Sequence, residues 1–316
     1  MTHRLSLDNI AAAARSVAPV FLGTPQFVSE GLSAQLDCQL TFKVETLNPI
    51  GNFKGRGATY FVQSLSGSGR LVCASAGNFG QALAYACRAR GIPLTVFAAV
   101  HANPLKVAKM RGFGAEVRQS GEDFDAAKSA AAAWAEEQGA QLVVDGLERE
   151  IAEGAGSIGV ELLAAGSAFD AVLLPLGNGA LLTGVARWIK THAPATKVIG
   201  VSSVHARAMH DSWRSGKIVE TPAAATIADG IAVRVPIPEA VEDMRGIVDE
   251  VVLVEEDSLR TAMRLLLNEE RLIVEPAGAA GVAALVEHAE LRGLGRVATV
   301  ICGSNLTREQ IRELAG

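Results

Sequence analysis

Cysteine is scarce and scattered in this chain, which has only Cys38, Cys73, Cys87 and Cys302. None falls in a CxxC pair, so neither a zinc ribbon nor a disulfide framework is expected, and the first three read as small buried hydrophobes. Basic charge is not in excess either: 29 Lys and Arg stand against 34 Asp and Glu, a net charge of -5. No Lys/Arg run with interleaved aromatics is present to track a phosphate backbone, which argues against a nucleic-acid partner. Long apolar runs are missing, since charge, Pro or Gly breaks every candidate, and no bilayer-spanning segment is expected. The first twenty residues lack the basic start, continuous apolar stretch and small-residue cleavage site of a secretory signal. The expectation is a cytoplasmic enzyme that touches no membrane. Internal repeats and low-complexity linkers are also missing; the alanine run at 130–133 is simply strong helix former.

What the chain does contain is apolar material, 49% hydrophobic against 20% charged over 316 residues. That length divides more easily into two lobes than it packs around one core. From about residue 70, short apolar runs alternate with helical-period stretches, the pattern of βαβ units on a parallel sheet. Strands are predicted at 71–74, 94–100, 115–118 and 142–144, with helices at 78–90, 104–111 and 124–138 between them. Asn103 is the N-cap of the second helix, Pro104 lies in its first turn, and the first helix stops at Gly91-Ile92-Pro93. A second series starts near residue 157, with strands at 171–174, 198–201, 251–254 and 297–302. The stretch 219–238, with three prolines and Asp229-Gly230, breaks the alternation and is expected to be irregular and near the site. A helix is predicted over 7–15, and the first forty residues are assigned to the second lobe.

Lys54 lies in the phrase Gly51-Asn52-Phe53-Lys54-Gly55-Arg56-Gly57-Ala58. Alone it would read as a solvated lysine at the start of a surface helix. Gly51, Gly55 and Gly57 allow close backbone approach to a ligand, Phe53 is suited to cover a planar ring, and Arg56 offers a cation that would lower the amine's pKa. Lys54 is therefore a candidate for Schiff-base chemistry. Two strand-to-helix loops add anion cradles. Ser75-Ala76-Gly77-Asn78-Phe79-Gly80-Gln81 follows the strand at 71–74, and free amides at its helix start suit a carboxylate or phosphate. Pro175-Leu176-Gly177-Asn178-Gly179-Ala180-Leu181-Leu182-Thr183-Gly184 follows the strand at 171–174, and its successive amides suit a phosphate. Either loop alone reads as a tight turn that needs glycine. Neither has the spacing of a nucleotide P-loop or of the dinucleotide fingerprint. Two anion cradles and a Schiff-base lysine together suggest a small phosphorylated aldehyde, which pyridoxal phosphate is, and an amino-acid substrate.

With these motifs in order the chain resembles the fold-type II pyridoxal-phosphate family, and within it the serine/threonine dehydratase group. The likeness spans nearly the whole chain and includes Thr226-Ile227-Ala228-Asp229-Gly230, Glu275-Pro276-Ala277-Gly278-Ala279-Ala280-Gly281 and Ile301-Cys302-Gly303-Ser304-Asn305. It implies an α/β fold of two open parallel-sheet domains, tryptophan synthase β-like, with the cofactor between them. The large cofactor-binding domain would comprise residues 1–62 and 146–316, and the small α/β domain 63–145. The resemblance makes Lys54 the catalytic Schiff-base lysine and sets Phe53 and Gly230 against the two ring faces. Asn78 would meet the ring hydroxyl, Cys302 the pyridine nitrogen, and Gly177, Asn178, Gly179, Ala180 and Leu181 the phosphate. Glu275 is carried over as an active-site contact, and Ser75, Ala76, Gly77, Asn78 and Phe79 as the substrate loop. A thiol at Cys302 cannot keep the ring nitrogen protonated as a carboxylate would, which favours expulsion of a β-substituent over transamination. The implied activity is dehydration and deamination of threonine or serine to a 2-keto acid and ammonia, by a cytoplasmic homodimer. A β-replacement synthase, a racemase and a non-catalytic amino-acid-binding protein are the alternatives.

Departures from the family pattern sharpen this. Racemases of the group use a serine opposite the lysine, where this chain has Ala76. The group's cation site uses carboxylates where this chain has Ser202 and Ala208, so no divalent metal is expected. Phe79 replaces a common histidine, either as packing beneath the loop or to select a larger, more apolar substrate. None of His3, His101, His192, His205, His210 and His288 is assigned a catalytic role, and Asp229 reads as a turn residue. The chain ends soon after Leu306, so feedback through an appended module is not expected.

Overall fold

The computed structural model describes residues 3–315 except 68, 165 and 167. Ten strands form two sheets: β1 Gln26–Val28, β2 Gln39–Val44, β3 Leu71–Ala74, β4 Leu94–Ala98, β5 Glu116–Gln119, β6 Gln141–Leu142, β7 Ala171–Pro175, β8 Lys197–Ser203, β9 Glu250–Val254 and β10 Arg296–Ile301. The larger sheet runs β1-β2-β10-β7-β8-β9 and the smaller β5-β4-β3-β6. All pairings are parallel except that of the edge strand β1 with β2, which is antiparallel, so the two sheets are the open parallel sheets expected.

The central strands read as continuous apolar runs because helices cover both faces of a parallel sheet. All five residues of β7 are buried, as are five of the six in β10. The predicted helices 78–90 and 124–138 appear with those bounds, and the third runs Pro104–Gly112. Their ends follow local chemistry. The Asn103 side chain accepts from the Leu105 amide, and Gly91 closes the first helix with φ +65°, a left-handed conformation natural to glycine. The predicted strands 94–100 and 142–144 are shorter, ending at Ala98 and Leu142. The stretch 219–238 holds only the short 3-10 turn Asp229–Ile231 before the helix that starts at Pro238.

Strand order decides where the site lies. β2, β10 and β7 are neighbours, so the segments leaving their carboxyl ends emerge side by side: the Lys54 loop, Cys302 and the 177–181 loop. In the smaller sheet β3 sits between β4 and β6, and chain direction switches there. The crevice at such a switch point is where open α/β sheets take ligands. The loop after β3 carries Ser75 to Phe79, and the segment after β6 carries Asp145.

Candidate active site

Lys54 closes the loop from β2 and caps the helix Gly55–Ser64. The loop is fastened to the end of β10 by backbone: Phe53 N donates to Cys302 O at 3.0 Å, Asn52 bridges Gly303, and Ser304 N donates to Gly51 O at 2.9 Å. Lys54 and Cys302 are thereby set by one ladder. The glycines permit this crowding, since a Cβ on Gly55 would stand 2.3 Å from the Phe21 ring and one on Gly57 2.4 Å from Ile151 O.

One cavity is lined by Phe53, Lys54, Asn78, residues 177–181, Gly230, Glu275 and Cys302, so the structure brings together all the residues assigned to the cofactor. It merges through Lys54, Asn78, Asn178 and Gly230 with a cleft of about 790 Å³ between the sheets, on which Ser75 to Phe79 lie. Asp145 lines both compartments, and sequence reasoning missed it.

The 177–181 loop enters the helix Ala180–His192 through Gly179, with φ +94°. A Cβ on Gly177 would stand 2.6 Å from Gly230 O, so the loop packs backbone to backbone against that turn. A helix start with clustered amides suits an anion. The loop after β3 differs from expectation in one respect: Ser75 Oγ already accepts from Gly77 N at 3.2 Å and Gly80 N at 2.9 Å. The amides of Ala76, Asn78 and Phe79 have no partner among the described residues. Phe79 combines both of its readings, being buried in the small-sheet core while lining the cleft, with its ring centroid 5.9 Å from Lys54 Nζ.

Asn78 is held at both ends of its amide. Nδ2 donates to Glu275 Oε1 at 2.5 Å, and Oδ1 accepts from Asn305 Nδ2 at 2.8 Å. Asn305 N donates to Glu275 Oε2 at 3.1 Å, and Lys109 Nζ donates to Asn305 Oδ1 at 2.6 Å. Burial pushes the Glu275 carboxyl up, against the pull of Lys106 and the hydrogen bonds from Asn78 and Asn305. Burial, reinforced by the Glu275 charge, pushes the Cys302 thiol well above its ordinary value, so it sits in the cavity as a neutral thiol. Lys106, buried on the helix Pro104–Gly112, pairs with Asp229, which gives that residue a partner beyond its turn.

Arg56 does not serve Lys54. Its guanidinium is wholly buried and bound by Glu45 (Nε to Oε2, 2.8 Å) and Glu161 (Nη1 to Oε1, 2.7 Å). The charge beside Lys54 is instead an anion, with Asp145 Oδ2 2.6 Å from Lys54 Nζ. Lys54 Nζ also lies 5.2 Å from the centroid of the Phe53 ring. All four cysteines are free and buried, and no cluster of metal-ligating side chains occurs among the described residues. No helix among them is long and apolar enough to cross a membrane.

Fold and cavity define a two-sheet α/β enzyme that sets an amine, a neutral thiol and a helix-start anion cradle around one cavity. The donor set fits a phosphorylated aromatic aldehyde: amides for the phosphate, Lys54 for the aldehyde, and a 177 position with no room for a side chain. Residues 17–303 match the family described as pyridoxal-phosphate dependent enzyme. The chain belongs to that family, and pyridoxal phosphate is its cofactor. It is 38% identical to the L-threonine ammonia-lyase of Geobacter sulfurreducens over 281 residues, covering 88% of this chain and 70% of that protein. The threonine deaminase from T.th. superposes with a TM-score of 0.90 at 34% identity, covering 96% of this chain and 99% of the other. Maize serine racemase superposes with a TM-score of 0.91 at 27% identity, covering 98% and 96%.

Proposed function

We propose that the protein is an ammonia-lyase that removes the β-hydroxyl of threonine or serine and releases a 2-keto acid and ammonia. The observation that carries this reading is the pairing of one amine with one neutral ring partner: Lys54 and Cys302 line the same cavity, and Ala76 stands on the substrate loop. When bound, pyridoxal phosphate would supply an electron sink that acidifies the substrate Cα proton. Lys54 would hold the cofactor at rest and, once released, take that proton at Nζ. The amides of 177–181 would fix the phosphate, Asn78 would orient the ring through its hydroxyl, and Phe53 and Gly230 would pack against the ring faces. The free amides of Ala76, Asn78 and Phe79 would take the substrate carboxylate. A neutral thiol at Cys302 leaves the ring nitrogen without a strong proton donor, which favours loss of the β-substituent over transamination. Alanine at 76 has no proton to transfer, which speaks against racemisation. The relatives named threonine ammonia-lyase and threonine deaminase support the substrate class.

We also infer a large domain of 1–62 with 146–316, a small domain of 63–145, a homodimeric assembly and a cytoplasmic location. Light scattering and cell fractionation check the last two. The test of function is release of ammonia and keto acid from a panel of hydroxy amino acids, with and without sulfide. Keto acid from threonine or serine is the expected result. A sulfide-dependent thioether or thiol product would instead make it a β-replacement synthase, and no keto acid from any of the panel sinks the lyase reading.

A further inference from the structure

Lys106 is a buried ammonium with most of its hydrogen-bonding capacity unused. Its side chain is only 7% exposed, and Nζ pairs with Asp229 and with no other group among the described residues. An ammonium carries three donors, so two N–H groups are left over, and a buried charge is costly until such groups are matched. Asp229 is a poor counter-ion for it, because 61% of that side chain is exposed and water screens the pair. Glu275 offers no alternative, since its two oxygens already accept from Asn78 and Asn305.

Packing sets this cation over the substrate loop. The helix Pro104–Gly112 lies tightly on the start of the helix Asn78–Arg90, where a Cβ on Gly80 would stand 2.4 Å from Met110 Sδ. Met110 is one turn beyond Lys106 on the same helix face, so that contact positions both. Lys106 Nζ is 3.7 Å from where a Cβ on Gly77 would go, and both residues line the cleft together with Lys54. Lys106 does not line the cavity of the 177–181 loop, which separates it from the cradle assigned to the cofactor phosphate. The amides of Ala76, Asn78 and Phe79, on the loop beside it, have no partner among the described residues.

We propose that Lys106 binds the α-carboxylate of the amino acid, completing a site with the amides of Ala76, Asn78 and Phe79; the role rests on the amino-acid substrate of the reading above. The loop supplies oriented N–H dipoles, and Lys106 supplies the formal charge that backbone lacks. A carboxylate has two oxygens, so one faces the amides while the other takes the unused donors of the ammonium. Held by its carboxylate at Lys106 and by its amine at the cofactor, the substrate loses rotational freedom in the cleft before Lys54 meets its Cα proton.

The experiment titrates the holoenzyme with glycine and with glycinamide, neither of which carries a leaving group, and reads binding from the change in the visible spectrum. The ratio of the two affinities reports the carboxylate, since differences between the two amines cancel when proteins are compared. Lys106→Met keeps the apolar stem and leaves the exposed Asp229 to water, so far-UV circular dichroism should be unaltered. Its preference for glycine over the amide should fall by about tenfold to a hundredfold, the range for a hydrogen bond to a charged group. Lys106→Arg should retain part of the preference, and Asp229→Asn, which removes the rival anion, should keep or raise it. An undiminished preference in Lys106→Met, or an equal fall in Asp229→Asn that reduces Lys106 to a clasp on the turn, would overturn the proposal. Neither ligand can undergo elimination, so the titration reads Lys106 whether or not the wild type releases keto acid, and failure of the lyase reading is told apart from failure of this one.

Discussion

Asn78 and Glu275, 197 residues apart in the chain, meet across the two sheets through a 2.5 Å hydrogen bond from Nδ2 to Oε1. Glu275 also accepts from the Asn305 amide, so one buried carboxyl orients two groups beside the cavity. Glu275→Ala leaves both donors unsatisfied, each at about 1–3 kcal/mol. We expect weaker cofactor binding together with lower stability, read by cofactor titration and by urea unfolding of the cofactor-free protein. Unchanged cofactor affinity would reduce Glu275 to a packing role.

Lys54→Ala should abolish the visible absorbance of the loaded protein and lower turnover by more than about 10⁴-fold, the upper range for a positioned acid or base. Far-UV circular dichroism should be unaltered. Retained turnover would take Lys54 out of the chemistry.

Gly177→Ala sets a methyl against the Gly230 carbonyl, 2.6 Å from where the Cβ must go. The turn has to shift, at about 1–3 kcal/mol for an overpacked position. Cofactor affinity should drop at least tenfold (about 1.4 kcal/mol). Gly112→Ala, in a helix with open space around it, is the control and should be neutral or stabilising.

Burial pushes the Glu161 carboxyl up, but hydrogen bonds and charge from Arg56 and Lys43 outweigh it and hold it at about 2, below the ordinary 4.5. Because the folded value is depressed, the stabilisation is complete above pH 4.5 and is lost as pH falls toward 2. Arg56→Leu leaves Glu45 buried without its cation and should cost about 3–5 kcal/mol near pH 7. The gap between variant and wild type should narrow between pH 4.5 and 2 in urea unfolding. A gap constant over that range would contradict this account.

Most of the frame was legible because its punctuation is local. Gly91, Asn103 and the prolines bound helices whatever the rest of the chain does. β1 and β2 were not legible. Lys43 and the following Glu45 interrupt what is a buried strand, and only the fold reveals their partners, Glu161 for Lys43 and Arg56 for Glu45. The same long-range pairing explains Arg56, which beside Lys54 in sequence reads as a neighbour in space as well. Asp145 was hidden differently: an Asp-Gly after a short apolar run is explained by a turn. The signal that would have found it is topological, since β6 lies next to β3 and its carboxyl end opens on the same crevice.

The ladder that ties residues 51–53 to residues 302–304 fixes more than two side chains. It sets the separation of the Lys54 and Cys302 α-carbons by main chain, so the two side chains start from fixed anchors. A substitution at either position changes what is mounted there and leaves the mounting of the other in place.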